Sequence, residues 1–241
     1  MVTKRSVYHS VPFSSDTIGN LKDNAFRVLK TNSKKRIRNG LLLNFGAESI
    51  DSELAENVVV LNRPEHVQQS SDKVTMFNLL SEYMPYTTTN INELPDLPFY
   101  AKGRTGRKGR NKELVTKENI DTVNLRQYSL FQTFIEAKRE FRIFVIKTPD
   151  GDPKILISHI REAPGVFVQC GKRVSNAGVD LIHFSRNVAE QTHLDFIALD
   201  ILRAPNEELF LLEINSCPGI GASTAVRLDS FLQRWWEVLD G

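Results

Sequence analysis

The chain has 241 residues, of which 41% are apolar and 25% charged, with a net charge of +2. These values describe an ordinary globular protein of one large or two small domains, and they exclude a disordered, collagen-like or strongly polyanion-coating chain. Two cysteines exclude a disulfide scaffold and favour a reducing compartment; no apolar stretch is long enough to span a bilayer and no signal-peptide core opens the chain, so the expected address is the cytoplasm, with no membrane partner.

In chain order, Val7 and Tyr8 suggest a short strand, and residues 20–30 carry Leu21, Ala25, Val28 and Leu29 at helical spacing. A basic loop follows over residues 30–38. Residues 41–45 and 58–61 are continuous apolar runs, the pattern of strands covered on both faces. Together these segments predict a compact α/β unit of about 60 residues, a size that is marginal alone. After the break at Asn62-Arg63-Pro64-Glu65, the run Ser70-Ser71-Asp72-Lys73 can cap a helix carrying Val74, Phe77, Leu80 and Met84 on one face, ended by Pro85. Pro95 and Pro98 bound a loop before a strand over residues 99–102 that ends in Lys102. Next come three glycines spaced by three among basic residues (Gly103, Arg104, Gly106, Arg107, Lys108, Gly109, Arg110). Such a loop can bring backbone amides and positive charge to phosphate, or it is simply a flexible basic tip.

Residues 128–135 and 140–146 read as strands. Arg142 lies inside the second, where it must be paired or face a cavity. Asp150-Gly151 is a hairpin turn, and the returning strand over residues 154–160 leads to Arg161, with His159 on the same face. Arg173 and Asn176 belong to a Gly-flanked polar segment read as a loop, a helix spans residues 185–192, and residues 224–239 form an amphipathic helix with Ala225, Leu228, Phe231, Leu232, Trp235 and Leu239 on its core face. The most informative stretch is residues 194–221, read as a β-hairpin turning at Pro205 and Asn206. A turn centred between Asn206 and Glu207 pairs Asp200 with Glu213 and Ala198 with Asn215 on one face. Two readings are open. In one, two carboxylates and an amide oxygen hold a hard cation, Mg²⁺ or Mn²⁺. In the other, the hairpin carries one edge acid, one solvated acid and a capping asparagine.

The ordered motifs Asn62-Arg63-Pro64, Asp72-Lys73, the lysine-tipped strand with its Gly-rich loop, Gln132-Thr133-Phe134-Ile135-Glu136, Glu140-Phe141-Arg142, and Asp200 followed by Glu213-Ile214-Asn215-Ser216-Cys217-Pro218-Gly219 resemble the ATP-grasp superfamily, most of all its ribosomal-protein glutamate ligases and related carboxylate–amine ligases. The resemblance implies an α+β ATP-grasp fold, two α/β lobes clasping ATP, over residues 62–241, with residues 1–61 a reduced N-terminal α/β unit. It implies that Lys73 and Lys102 approach the nucleotide, that Gly106 and Gly109 belong to the loop over its phosphates, that Gln132, Thr133, Phe134 and Ile135 form the hinge strand whose backbone reads adenine, and that Glu136 accepts from the ribose. Asp200, Glu213 and Asn215 would hold Mg²⁺ or Mn²⁺, Arg161 would face the γ-phosphate, and Arg173 and Asn176 would approach phosphate and substrate. The implied reaction joins a carboxylate, amino acids among the candidates, to an amine through an acyl-phosphate. The Gly-rich loop is more basic than in the relatives, which suggests a polyanionic acceptor or a tighter phosphate clamp. A phosphotransferase using the same nucleotide site and a nucleic-acid-binding module using the basic segments remain the alternatives.

Overall fold

The computed structural model describes residues 5–9, 27–30, 40–50, 58–105, 111–161, 172–173 and 178–240, and the side chains of residues 40–50, 58–105, 111–155, 178–235, 237 and 238. Its described strands form three sheets. The first contains β1 (Arg5–His9), β2 (Arg27–Lys30), β3 (Gly40–Phe45) and β4 (Val58–Leu61) in the order β2-β1-β3-β4, all parallel. Every residue of β3 is buried, as suits a largely apolar central parallel strand, and its one polar side chain, Asn44, is satisfied by the Ala47 backbone. Residues 27–30 correct one expectation: they form a strand, not the end of a helix, with Val28 paired to Val7. Pairing along β1 overrides the local helical spacing of Val28 and Leu29. The rest of that expected helix, residues 20–26, and residues 31–38 of the basic loop lie outside the described residues.

Helix α1 (Pro64–Ser71) follows β4 directly. It was read only as a break, because it is polar and buries a single side chain, Val67; Pro64 at its start supplies the pre-set φ of a first helical turn. Asp72 ends α1 and caps α2 (Lys73–Leu80), its carboxylate accepting from the Val74 and Thr75 amides at 2.9 and 3.0 Å. The core stripe of α2 is Met76 and Leu80, one turn apart, rather than the expected Val74, Phe77, Leu80 and Met84. The helix stops at Leu80, so Met84 falls beyond it.

A second, antiparallel sheet has the order β5-β8-β6-β7, from β5 (Thr87–Thr88), β6 (Phe99–Lys102), β7 (Lys112–Val115) and β8 (Leu130–Thr133). Phe99, Ala101, Val115 and Phe131 make the core on one of its faces, with Phe99 and Phe131 edge to face. By alternation, Tyr100, Lys102, Lys112 and Gln132 occupy the other face. The third sheet is antiparallel and larger: β9 (Arg139–Lys147), β10 (Pro153–Arg161), β11 (Lys172–Arg173), β12 (Phe196–Arg203) and β13 (Leu209–Asn215), in the order β11-β10-β9-β12-β13. Gly151, at φ +87°, makes the expected turn between β9 and β10. Residues 172–173, read as part of a loop, pair with β10 instead.

The five-stranded sheet is covered on both sides. Ile143, Val145, Ile197, Leu199 and Ile201 face α1, α2 and α3 (Val179–Gln191), through Val67, Met76, Leu80, Leu181 and Val188. Helix α3 starts six residues earlier than the spacing suggested. On the opposite face, Phe144, Ile146, Phe196 and Ala198 pack against Leu41, Leu43 and Phe45 of β3 and against α4 (Ala222–Asp240) through Ala225, Leu228, Leu232 and Trp235. The expected core face of α4 is thus present over its described side chains, and the Trp235 indole also donates to the Lys147 carbonyl at 2.7 Å. None of the described helices is long and apolar enough to cross a membrane.

Asn62 ties the first sheet to the third. Its side-chain oxygen accepts from the Asp195 and Phe196 amides at 2.8 and 2.9 Å, its amide group donates to the Phe196 carbonyl at 2.7 Å, and its backbone N–H donates to the Asp195 carboxylate at 2.7 Å. Its φ of +55° is a conformation that asparagine tolerates better than most residues. Burial pushes the Asp195 carboxyl up in pKa, although the Asn62 amide and nearby cations oppose it. Asn62→Ala strands two buried backbone groups of Phe196 and the half-buried amide of Asp195, and adds backbone strain. It should lower stability by about 2–4 kcal/mol in urea unfolding; a loss under about 1 kcal/mol would mean that the two sheets hold together without this junction.

Candidate functional site

The hairpin of β12 and β13 places Asp200 opposite Glu213 and Ala198 opposite Asn215, the pairing expected from the sequence. The turn is not centred where it was expected. Arg203 pairs with Leu209 and Ile201 with Leu211, so the tip is a three-residue loop about Asn206 with Glu207 at φ +68°. A bulge at Leu212, between the Asp200 and Ile201 pairs, restores the register at the site.

Asp200 is buried but not bare. Arg142 stands beside it on β9 and binds it with both arms, Nε to Oδ1 and Nη2 to Oδ2, each at 2.7 Å. Burial disfavours the guanidinium charge, yet Asp200, Glu213 and Glu140 outweigh it and hold the Arg142 pKa above its ordinary value. The Asn215 amide nitrogen lies 3.4 Å from Asp200 Oδ2. Across the strands a single registered row runs Arg173, His159, Arg142, Asp200, Glu213. Its basic and acidic halves meet at the Arg142–Asp200 pair.

Helix α2 and the second sheet each bring a lysine near Glu213. Lys73, at the start of α2, lies 3.5 Å from Glu213 Oε1. Lys102, at the end of β6, is only 8% exposed and donates to Gln132 Oε1 at 2.5 Å, while the Gln132 amide donates to Thr87 Oγ1 at 3.1 Å. Burial, then the charges of Lys112 and Lys73, push the Lys102 ammonium down to about 7, with Glu213 pulling the other way. The chain leaving Lys102 is fastened to α2: the Lys73 amide donates to the Arg104 carbonyl at 2.9 Å, and Arg104 Nε to Asp72 at 2.6 Å.

The remaining expected residues separate into two groups. The Thr133 and Phe134 amides already donate to the Tyr86 and Pro98 carbonyls, so those two are committed within the fold; Ile135 is half-buried, Glu136 exposed, and the Phe134 ring packs on Tyr100 with centroids 5.8 Å apart. Gly106, Gly109 and Asn176 lie outside the described residues, as do the side chains of Arg161 and Arg173. Arg161 ends β10 in register with Glu140, and Arg173 is paired with His159. Sequence reasoning passed over Tyr100, Lys112 and Thr87; strand alternation about Lys102 puts Tyr100 on its face, whereas Lys112 joins it only through the pairing of β6 with β7.

The donor set suits a hard divalent cation. Among the described residues no three His, Cys, Asp or Glu side chains cluster as ligands, so a cation at Asp200 and Glu213 needs the Asn215 amide oxygen as its third donor. The reading of an edge acid and a capping asparagine stays open beside it: both Asp200 oxygens accept from Arg142, Glu213 lies on the edge strand beside Lys73, and the Asn215 nitrogen faces Asp200.

No protein-family model matches the sequence, and no curated protein sequence matches it. Solved structures do resemble the fold. They include the ATP-grasp ligase PsnB complexed with its minimal precursor (TM-score 0.68, 12% identity, 97% of this chain and 100% of that one). Others are N5-carboxyaminoimidazole synthetase from Staphylococcus aureus complexed with ADP (0.67, 10%, 96% and 78%) and a RimK-domain ATP-grasp protein from Sphaerobacter thermophilus (0.62, 13%, 95% and 99%). This chain has the ATP-grasp fold.

Lys102 makes the site's electrostatics measurable. Its folded pKa, about 7, lies below the ordinary 10.5 expected of the unfolded chain. Below pH 7 both states carry the charge and the full burial penalty stands. Between pH 7 and 10.5 the folded state has released its proton and the unfolded state has not, so stability rises with pH through this window. Urea midpoints measured across it should climb for the wild type relative to Lys102→Met; parallel profiles would show that Lys102 is not held as described.

Proposed function

We propose that this chain is an ATP-dependent carboxylate–amine ligase of the cytoplasm, with residues 62–241 forming the nucleotide-binding body and residues 1–61 a reduced N-terminal unit. The observation that carries the reading is the buried, strand-end Lys102, within electrostatic reach of the Glu213–Lys73 pair, in an ATP-grasp fold. A lysine buried without a carboxylate bonded to it is costly unless an anion completes it, and a polyphosphate is such an anion. The named neighbours include an ADP complex and a ligase complexed with a precursor, which supports a nucleotide and an acceptor meeting in such a fold.

In this reading Lys102 and Lys73 neutralise the nucleotide phosphates, Gly106 and Gly109 cover them, and the segment from Gln132 to Glu136 borders the adenosine. Asp200, Glu213 and Asn215 would hold Mg²⁺ or Mn²⁺, which when bound supplies further charge neutralisation at phosphate oxygens. Arg142 orients the Asp200 carboxylate through both of its oxygens. The substrate carboxylate attacks the γ-phosphorus and the bond to ADP breaks, giving an acyl-phosphate. Arg161, Arg173 and Asn176 face the transferred phosphate and the substrate. The amine nitrogen then attacks the acyl carbon, the carbon–oxygen bond breaks, phosphate leaves and the nitrogen loses a proton. Positioning and charge neutralisation suffice for both steps.

ADP release measured over a panel of amino acids and peptide amines, with mass spectrometry of the products, tests the reading. Hydroxylamine should trap a hydroxamate; ADP release with a phosphorylated hydroxyl and no hydroxamate would make the protein a phosphotransferase instead. Glu213→Gln should fold normally, require more Mg²⁺ and lose about 10²–10³ of turnover, since it removes one preorganised charge. Unchanged turnover at an unchanged Mg²⁺ requirement would remove Glu213 from the site.

A further inference from the structure

We propose that His66 and His193 form a transition-metal site, a two-imidazole chelate for Zn²⁺, Ni²⁺ or a like divalent ion, which staples helix α1 to the start of β12. The site owes nothing to the nucleotide reading above and uses different chemistry. Oxygen donors suit Mg²⁺, whereas imidazoles suit zinc, nickel and copper.

The fold brings the two rings together from distant segments. His66 lies in the first turn of α1, and His193 sits between Thr192, which closes α3, and the buried Leu194. Asn62 stands just before α1 and bonds Asp195 and Phe196, just after His193. The hydrogen bonds that join the first and third sheets therefore also position the imidazoles. Their centroids lie 5.1 Å apart with the planes tilted by 33°. A single ion held by both rings needs that spacing: metal–nitrogen bonds of about 2.0–2.1 Å meeting at tetrahedral to square angles put two imidazole centroids about 4.5–5.5 Å apart.

Stacking alone leaves one atom unaccounted for. His66 Nδ1 is closed off from water and has no hydrogen-bond partner. A buried ring nitrogen in that state lacks an acceptor for its proton or a donor for its lone pair, and a metal ion answers the lone pair. His193 is exposed, so its ring can turn about its own side-chain bonds to admit the ion, with water in the remaining positions. Among the described residues no third His, Cys, Asp or Glu side chain joins the pair, which makes the site an open chelate rather than a closed structural centre. The surrounding charge is mixed. The Asp195 carboxylate favours a cation and lies within electrostatic reach of His66, Arg63 and Lys147. Arg63 and Lys147 oppose one, although the Lys147 ammonium is engaged by the Thr192 carbonyl.

Calorimetric titration of Ni²⁺ and of Zn²⁺ into the full chain, in buffer without Mg²⁺, tests this beside His66→Gln, His193→Gln and His183→Gln. His183, an exposed residue of α3 outside the pair, is the control. Wild type should bind one equivalent at this site; His66→Gln and His193→Gln should each weaken it about tenfold or more, and His183→Gln should leave it unchanged. Bound Ni²⁺ should also raise the urea midpoint of wild type and not of the two variants, because only the intact pair joins α1 to β12. Should His66→Gln fail to fold, the exposed His193→Gln carries both measurements. A wild type that binds neither metal overturns the proposal. So does affinity unmoved by either substitution, which would put the metal elsewhere, and so does loss in one folded variant with the other unchanged, which would make the contact single-ligand.

Discussion

The bidentate pair between Arg142 and Asp200 is the interaction from which the rest of the site follows. An ionised carboxylate buried in the five-stranded sheet is too costly alone, and the planar fork of an arginine is the side chain that satisfies both of its oxygens at once. Because the two residues are directly opposed, the pair also fixes how β9 and β12 align. A slip of one residue would turn Arg142 or Asp200 toward the helices and leave the other buried and unpaired, a penalty of about 3–5 kcal/mol. With β12 locked against β9, the positions of Glu213 and Asn215 on β13 are set in turn. The pair therefore specifies geometry more than it adds stability.

The second sheet solves the opposite problem. Its inner face carries cations, and its neutral groups are arranged to make them tolerable: Thr87 holds Gln132, Gln132 holds Lys102, and Tyr100 holds Lys112. A fold selected for stability alone would place apolar residues at these positions. Helix α2 reaches the acidic half of the row through Lys73 and Glu213, a half-buried contact at 3.5 Å.

Parts of this were legible in the sequence for definite reasons. Proline and asparagine mark the tip, but the Asp200–Glu213 pairing was reached from a turn centre half a residue off, and the bulge at Leu212, which the spacing does not announce, makes up the difference. The strand ending in Lys102 and the core face of α4 were plain from spacing. Residues 27–30 misled, since four residues of Val-Leu character satisfy a helix or a strand and only the neighbouring β1 decides between them. Helix α1 left almost no apolar signal because it buries one side chain. Lys112 was overlooked because a lysine beside a basic loop reads as surface, and its alignment with Lys102 exists only once β6 and β7 pair. Asn62 entered through a family motif, while its work, joining β4 to β12, depends on residues more than 130 positions away.

The bulge at Leu212 separates the hairpin into two mechanically independent parts. Pairs on the tip side keep one register and pairs on the site side another, with the unpaired residue taking up the difference. The tip is therefore not the ruler by which Asp200 and Glu213 are aligned; β9 is. Residues 205–207 can change length or composition, drifting between lineages or accepting a grafted loop, while the carboxylates keep their places. In this hairpin the connection most visible in the sequence is the one that the chemistry can best do without.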